Sequence, residues 1–354
     1  MIDSMVWKPF ATRRTSTFTI ATGSSDVEEN VIVKVRAGDD FGVGNASPSR
    51  VTQETLRSIE DFLALTPKKL VGTDETDLLK LHQRLDSIAP GNTAAKAAVD
   101  IAIFNLLSKR EKKPLYEYLG GSRDRMITDM TIGIEPKEVT VKKAIQHFKA
   151  GFRALKLKVG LDIDEDIARI AAVREAVGPR VELRVDANQG YTVDRAIKFA
   201  EAMQPYGIAV IEQPVPADDY TGLKAVTEAS AIPIMADECV KSVLDARRVA
   251  REGDADMINI KLMKCAGIHD AVMINRLAES TDMSTMVGCM GEIQVSIAAG
   301  LHFALSSENV KFADLDSHFS IVDDPSYGLR FSDGYLIASD LPGLGVATPL
   351  DDSE

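Results

Sequence analysis

From about residue 126 the chain settles into a repeat that few folds can satisfy. Short apolar runs at residues 128–133, 154–159, 181–187, 209–213, 232–236, 257–261, 284–288 and 310–315 begin every ~23 to 28 residues, the length of one strand–helix unit. Amphipathic segments fill the gaps, as at 164–177, 193–203 and 240–251. Eight strands with seven intervening helices predict an α/β barrel closed by parallel strands, over residues 123–320. An open, doubly wound sheet is the rival. No glycine-rich phosphate loop follows an early strand, which leaves that rival with less support.

Residues 1–122 read differently. Strands are predicted at 18–25 and 29–35, a turn-rich loop at 42–48, and helices at 52–64, 74–88 and 93–109, with Pro114-Leu115-Tyr116 and Gly120-Gly121 closing the region. Strands followed by helices make an α+β unit. The tail, 321–354, holds only short extended pieces and turns, expected to fold back onto that unit.

Composition narrows the function classes. Against 41 basic side chains stand 53 acidic ones, a net charge of −12, which speaks against nucleic acid or an anionic membrane as partner. No apolar run reaches the length of a membrane span, and residues 1–10 lack the layout of a signal peptide. The three cysteines, Cys239, Cys265 and Cys289, are odd in number and far apart, so a disulfide framework or zinc site is not expected and a cytoplasmic location is.

The chemistry gathers at strand ends. In a parallel barrel the C-terminal ends of the strands converge on one mouth. Lys156 and Lys158 alternate with Leu155, Leu157 and Val159, so both lysines share the inner face. Two ammonium groups side by side repel, which is expected to lower the pKa of at least one and make it a base near neutral pH. Three successive strands end in Asp186, Glu212 and Asp237, an oxygen set suited to a hard divalent ion such as Mg²⁺. Any one of them alone reads as a helix cap; three at matching positions do not. The next strand ends in Lys261, on the other side of the mouth from Lys158. A metal on a carboxylate, with one lysine on each side of the α-carbon, suits proton abstraction from a carbon acid.

Together, Lys156-x-Lys158, Asp186-Ala187-Asn188, Glu212-Gln213-Pro214, Asp237-Glu238 and Asn259-Ile260-Lys261 resemble the motifs of the enolase superfamily, in its muconate-lactonising-type subgroup. The resemblance runs over nearly the whole chain and implies a (β/α)7β modified TIM barrel with an α+β capping domain, 1–122, closed by the tail. It further implies that Lys158 and Lys261 are the acid/base pair, that Lys156 tunes its neighbour, and that Asp186, Glu212 and Asp237 bind Mg²⁺. The seventh strand ends Val287-Gly288-Cys289-Met290 without histidine, unlike the mandelate-racemase-like branch; Cys289 is expected either to line the pocket or to pack as an inert thiol.

The last strand ends in Asp314-Leu315-Asp316, which resembles the pair that holds the α-ammonium group in dipeptide epimerases, and Thr131 matches a pocket position of those enzymes. The resemblance thus implies an isomerase: a Mg²⁺-dependent dipeptide epimerase, and a homo-oligomer, that inverts an α-carbon by two-base 1,1-proton transfer through a metal-stabilised enolate. The rivals on this scaffold are muconate-type cycloisomerisation, o-succinylbenzoate synthesis and N-acylamino acid racemisation, none of which needs to bind a free ammonium. A Schiff-base aldolase using Lys158 or Lys261 and a non-catalytic metal protein are rivals of other classes. Where alanyl-glutamate epimerases carry an arginine in the loop after the first cap strand, the matching place here is Gly23. Apolar and cationic second side chains therefore stay open, with Asp26 placed to serve a cationic one, and so does the reach of Arg13 and Arg14 to the mouth.

Overall fold

The computed structural model describes residues 1–352. Eight parallel strands lie side by side in chain order: β5 (Asp129–Ile132), β6 (Ala154–Lys158), β7 (Glu182–Asp186), β8 (Ile208–Glu212), β9 (Ile234–Ala236), β10 (Met257–Lys261), β11 (Ser284–Gly288) and β12 (Val310–Asp314). A bridge from Thr128 to Ala313 brings the last strand back to the first and closes the barrel. Seven helices cross between them: α6 (Lys137–Lys149), α7 (Ile163–Val177), α8 (Val193–Met203), α9 (Tyr220–Ala229), α10 (Val243–Glu252), α11 (Ile268–Glu279) and α12 (Gln294–Leu305). Their starts follow sequence chemistry. Asp162, Thr192, Asp219 and Ser242 each accept a backbone N–H of the following first turn, satisfying groups a helix cannot pair internally. Alternation along the strands sends Leu155, Leu157, Leu183 and Val185 outward to the helices, all buried.

The capping domain begins as a long antiparallel hairpin, β1 (Ser4–Ile20) with β2 (Gly23–Ala37), and β3 (Asp40–Ala46) completes its sheet. Helices α1 (Leu56–Leu65), α2 (Pro67–Leu70), α3 (Leu78–Asp86), α4 (Thr93–Arg110) and α5 (Leu115–Tyr118) follow. Residues 42–46 form most of β3 rather than the expected loop. The glycines there serve a close approach: a Cβ on Gly42 or Gly44 would sit 1.9 Å from the Ala102 carbonyl oxygen or 2.0 Å from that of Ala98, both on α4. Helix α4 is consequently buried from Ala94 to Ser108, between that sheet and the barrel.

The tail divides its work. A hairpin, β13 (Arg330–Ser332) and β14 (Tyr335–Ile337), pairs with β4 (Arg125–Ile127) at the N-terminal end of the barrel instead of covering the cap. Gly334 accepts from Thr128 N at 3.1 Å there. The remainder does return to the cap, where Gly343 accepts from Leu115 N at 2.9 Å and Leu350 accepts from Lys34 Nζ at 2.7 Å. No helix among the described residues is long and apolar enough to cross a membrane.

Candidate active site

The barrel interior is stacked by strand alternation. Toward the N-terminal end lie Val210, Met235, Met257, Met286 and Phe312. One layer up, Arg184 stacks 4.4 Å from the Phe312 ring centre and pairs with Asp129 at 2.9 Å. Higher still, every inward position but Gly288 is polar, and the side chains there open into a cavity of about 420 Å³, within the usual range for a small-molecule site.

Asp186, Glu212 and Asp237 stand at the ends of β7 and β8 and just past β9, all buried. One carboxylate oxygen from each lies within 4.8 Å of the others. Lys158 Nζ is 2.6 Å from Asp186, and Lys261 Nζ is 2.8 Å from Asp237. The strands carrying these lysines, β6 and β10, are four apart in a ring of eight, so the two ammonium groups face each other across the mouth. Gly288 at the end of β11 leaves room for this: a Cβ there would stand 3.0 Å from Lys261 Cε.

Lys156 is 1% exposed and contacts Asp186 at 3.0 Å, Glu212 at 2.7 Å and Asp314 at 2.7 Å. Repulsion from Lys158 does not govern it. Burial opposes its charge, but Asp186, Asp314 and Glu212 outweigh that and hold its pKa well above the ordinary lysine value. The neighbours that decide this lie on other strands, which spacing within β6 does not reveal. Lys261 is likewise raised, burial being overcome by Asp237 and Glu212. Asp186 moves the opposite way: burial opposes ionisation, yet Lys156 and Lys158 lower its pKa. Glu212 is pushed up to about 8 by burial and by the charge of Asp186. Its Oε2 touches Lys156 Nζ at 2.7 Å without the direction of a hydrogen bond, and no other donor reaches it.

Supporting groups hold the carboxylates in place. Asn259 Nδ2 donates to Glu212 Oε1 at 2.8 Å. Gln213, at φ 31°, turns its Oε1 to accept from Asp237 N at 2.9 Å and Cys239 N at 3.3 Å. Lys264 donates to Asp237 Oδ1 at 2.5 Å and to the Asn259 carbonyl at 3.0 Å, three residues beyond Lys261. Glu238, buried beside Asp237 and Asp186, is raised to about 7 by burial first and those charges second. Lys264 and Glu238 are missed by sequence reasoning, although Lys261-x-x-Lys264 and Asp237-Glu238 stand in plain view.

On the opposite wall, Asp314 Oδ1 accepts from Thr131 Oγ1 at 3.3 Å and Asp316 Oδ2 from Thr131 N at 2.5 Å. Strand alternation alone does not align the two carboxylates, because β12 ends at Asp314 and Asp316 already begins a 3-10 turn. Asp316 forms no ion pair with a described side chain, and burial together with Asp314 raises its pKa. Cys289 lines the cavity with Sγ 3.9 Å from Asp316 Oδ1; burial and the two aspartates push its thiol pKa well up, so it stays protonated.

The cap forms the roof. Gly23 lines the cavity, and Arg50 occupies the space a side chain there would need, its Nη1 2.5 Å from an ideal Cβ and donating to the Thr22 carbonyl. Asp26 is exposed and outside the lining, contrary to expectation; Glu28 faces the cavity instead and is neutralised by Arg14 at 2.6 Å. Arg13 points to Asp323 at 3.2 Å on the surface. No local pattern announces Arg50, because a separate loop delivers it.

A capped (β/α)7β barrel with three carboxylates and two opposed lysines at its mouth defines a metal-assisted enzyme that moves protons on a carbon acid. Residues 140–352 match the enolase C-terminal domain-like family, and residues 1–120 match the mandelate racemase / muconate lactonizing enzyme N-terminal domain. The chain belongs to this family, within the enolase superfamily. It is 40% identical over 315 residues to the hydrophobic dipeptide epimerase of Enterococcus faecalis, covering 88% of this chain and 89% of that one. The substrate-liganded L-Ala-D/L-Glu epimerase of Bacillus subtilis superposes with a TM-score of 0.96 at 36% identity, over 98% of this chain and 99% of the other. The Enterococcus faecalis epimerase complexed with Mg and L-Leu-L-Tyr gives 0.95 at 38% identity, again over 98% and 99%.

Proposed function

We propose that this protein is a Mg²⁺-dependent dipeptide epimerase, inverting the α-carbon beside the substrate's free carboxylate. The observation that carries the reading is the opposition of two walls: lysines flanking a carboxylate triad on one side, and Asp316, a buried carboxylate without a cation, on the other. A dipeptide offers a matching pair of ends, a carboxylate and an α-ammonium group.

The triad fits a divalent ion. Three buried carboxylates within 4.8 Å repel one another, and Glu212 Oε2 lacks a hydrogen-bond donor, so a cation relieves both costs. Asp186, Glu212 and Asp237 would hold the Mg²⁺, which would supply a fixed positive charge to stabilise negative charge growing on the substrate carboxylate. Lys158 and Lys261 then work as a pair. One, neutral, takes the α-proton from its face; the other, protonated, returns a proton from the opposite face, and the configuration inverts. Lys156 stays charged between Asp186, Glu212 and Asp314 and positions all three. Asp316 and Asp314 receive the α-ammonium group, which a substrate lacking that group does not supply. This favours a dipeptide over N-acylamino acids and muconate-type lactones.

Incubating a dipeptide library in D₂O tests the reading. Substrates are expected to gain one deuterium at one α-carbon while the second epimer accumulates. Faster turnover of N-acylamino acids than of any free dipeptide would hand the assignment to the racemase rival.

A further inference from the structure

Outside the active-site cavity, two of the chain's five histidines meet where the cap joins the barrel. His82 lies on α3 of the cap and His269 in the first turn of α11 of the barrel. Their rings stack with centres 4.3 Å apart and planes tilted by 29°. One ring nitrogen from each and a carboxylate oxygen of Asp270 lie within 4.8 Å of one another. None of the three is deeply buried: side-chain exposures are 14%, 29% and 34% for His82, His269 and Asp270, so water reaches the cluster.

The surroundings are those of a ligand set. Asp100 on α4 is 1% exposed; its Oδ1 accepts from His82 Nε2 at 2.8 Å and its Oδ2 from Ile268 N at 2.5 Å. Gly267 permits this approach, since a Cβ there would stand 2.2 Å from Asp100 Oδ2. A carboxylate that holds one imidazole N–H fixes the tautomer and leaves the lone pair on the other nitrogen, the usual outer partner of a metal-bound histidine. His82 thereby offers Nδ1. His269 Nδ1 and Asp270 Oδ1 stand 2.9 Å apart, a separation that two ligands of one ion can span.

We propose that His82, His269 and Asp270 bind a divalent transition-metal ion of the Zn²⁺ class, clamping the cap to the barrel. Two imidazoles and one carboxylate suit Zn²⁺, Ni²⁺ or Cu²⁺, whereas the all-oxygen triad in the mouth suits Mg²⁺. The two centres therefore select different ions. Because α3 and α11 belong to different domains, the ion adds a bond that neither domain supplies alone.

The experiment is a Zn²⁺ titration of the full chain by calorimetry, with Mg²⁺ in excess to fill the carboxylate triad, and thermal unfolding followed in parallel. One Zn²⁺ per chain and a raised melting temperature are expected. His269→Gln and Asp270→Asn should each weaken binding by roughly 10- to 100-fold or more, while leaving Mg²⁺-supported turnover unchanged. Glu212→Gln, which disables the triad, should keep the Zn²⁺ site. Absence of Zn²⁺ binding, or binding indifferent to both His269→Gln and Asp270→Asn, overturns the proposal and leaves the pair as a stacked domain contact. Loss of the site in Glu212→Gln overturns it too, by placing the zinc in the triad.

Discussion

The same eight strands build two unlike interiors. Their N-terminal halves enclose Val210, Met235, Met257, Met286 and Phe312. Their C-terminal ends enclose Lys156, Lys158, Asp186, Glu212, Asp237, Lys261 and Asp314, nearly all deprived of water. The lower half is close-packed apolar volume and needs no partner to be stable. In the upper half each buried charge is tolerable only through its neighbours. Apolar packing and buried charge are thus separated along the barrel axis within single strands, with Arg184 between them, touching Met286 below and Asp129 above.

The largest effect expected is from removing the metal. Exhaustive chelation should abolish turnover and Mg²⁺ should restore it, with the barrel still folded by circular dichroism; activity that persists without divalent ions contradicts the upper half as described. Next come the lysines. Lys158→Ala and Lys261→Ala should each lower kcat by roughly 10²- to 10⁴-fold. Each variant should still exchange the α-proton of the one epimer that faces its remaining lysine, read by NMR in D₂O; native rates in either variant break the two-base scheme. Asp316→Asn should cost ~2–5 kcal/mol in kcat/KM for dipeptides, with Mg²⁺ affinity nearly unchanged. N-acetylating the dipeptide should do similar damage to the wild type and little more to the variant.

Met286→Ala sharpens the comparison from below. It should lower unfolding free energy by ~2–5 kcal/mol while kcat/KM stays near native; a large loss of activity would mean the halves are coupled. The smallest effect lies at the domain joint. Burial opposes the charge of His82, but Asp100, with Asp270 and Asp86, raises its pKa. A raised folded pKa contributes stability that is full below the unfolded value of about 6.5 and fades as pH rises through the folded one. Wild type should therefore lose a little stability relative to His82→Asn as pH rises from about 6.5 through the folded value, measured in metal-free buffer by denaturant titration.

What the sequence reveals about this molecule follows the range of its signals. Strands β5 to β12 are legible because each alternates inward and outward within five residues or so and recurs at one βα length. The inward placement of the carboxylates and lysines at their ends is legible for the same reason. The cap is less so. Strand β1 runs from Ser4 to Ile20, and its outer face is largely exposed, leaving little apolar alternation to read. Gly42 and Gly44 look like turn residues, and only the presence of α4 explains them. The raised pKa of Lys156 and the position of Arg50 beside Gly23 depend on side chains far away in sequence, and no window along the chain contains them.

The return of the tail to the cap sets an order of events. Residues at both ends of the chain build the cap: Lys34 on β2 reaches the Leu350 carbonyl, and Asn105 on α4 holds Leu344 at 3.2 Å. A ribosome adds about 5–20 residues per second, and early segments fold first. The hairpin β1–β2 therefore waits through synthesis of the whole barrel before its last contacts exist. The contacts of the cap with Leu344 and Leu350 thus form after the strands that carry the lysines and carboxylates have been made.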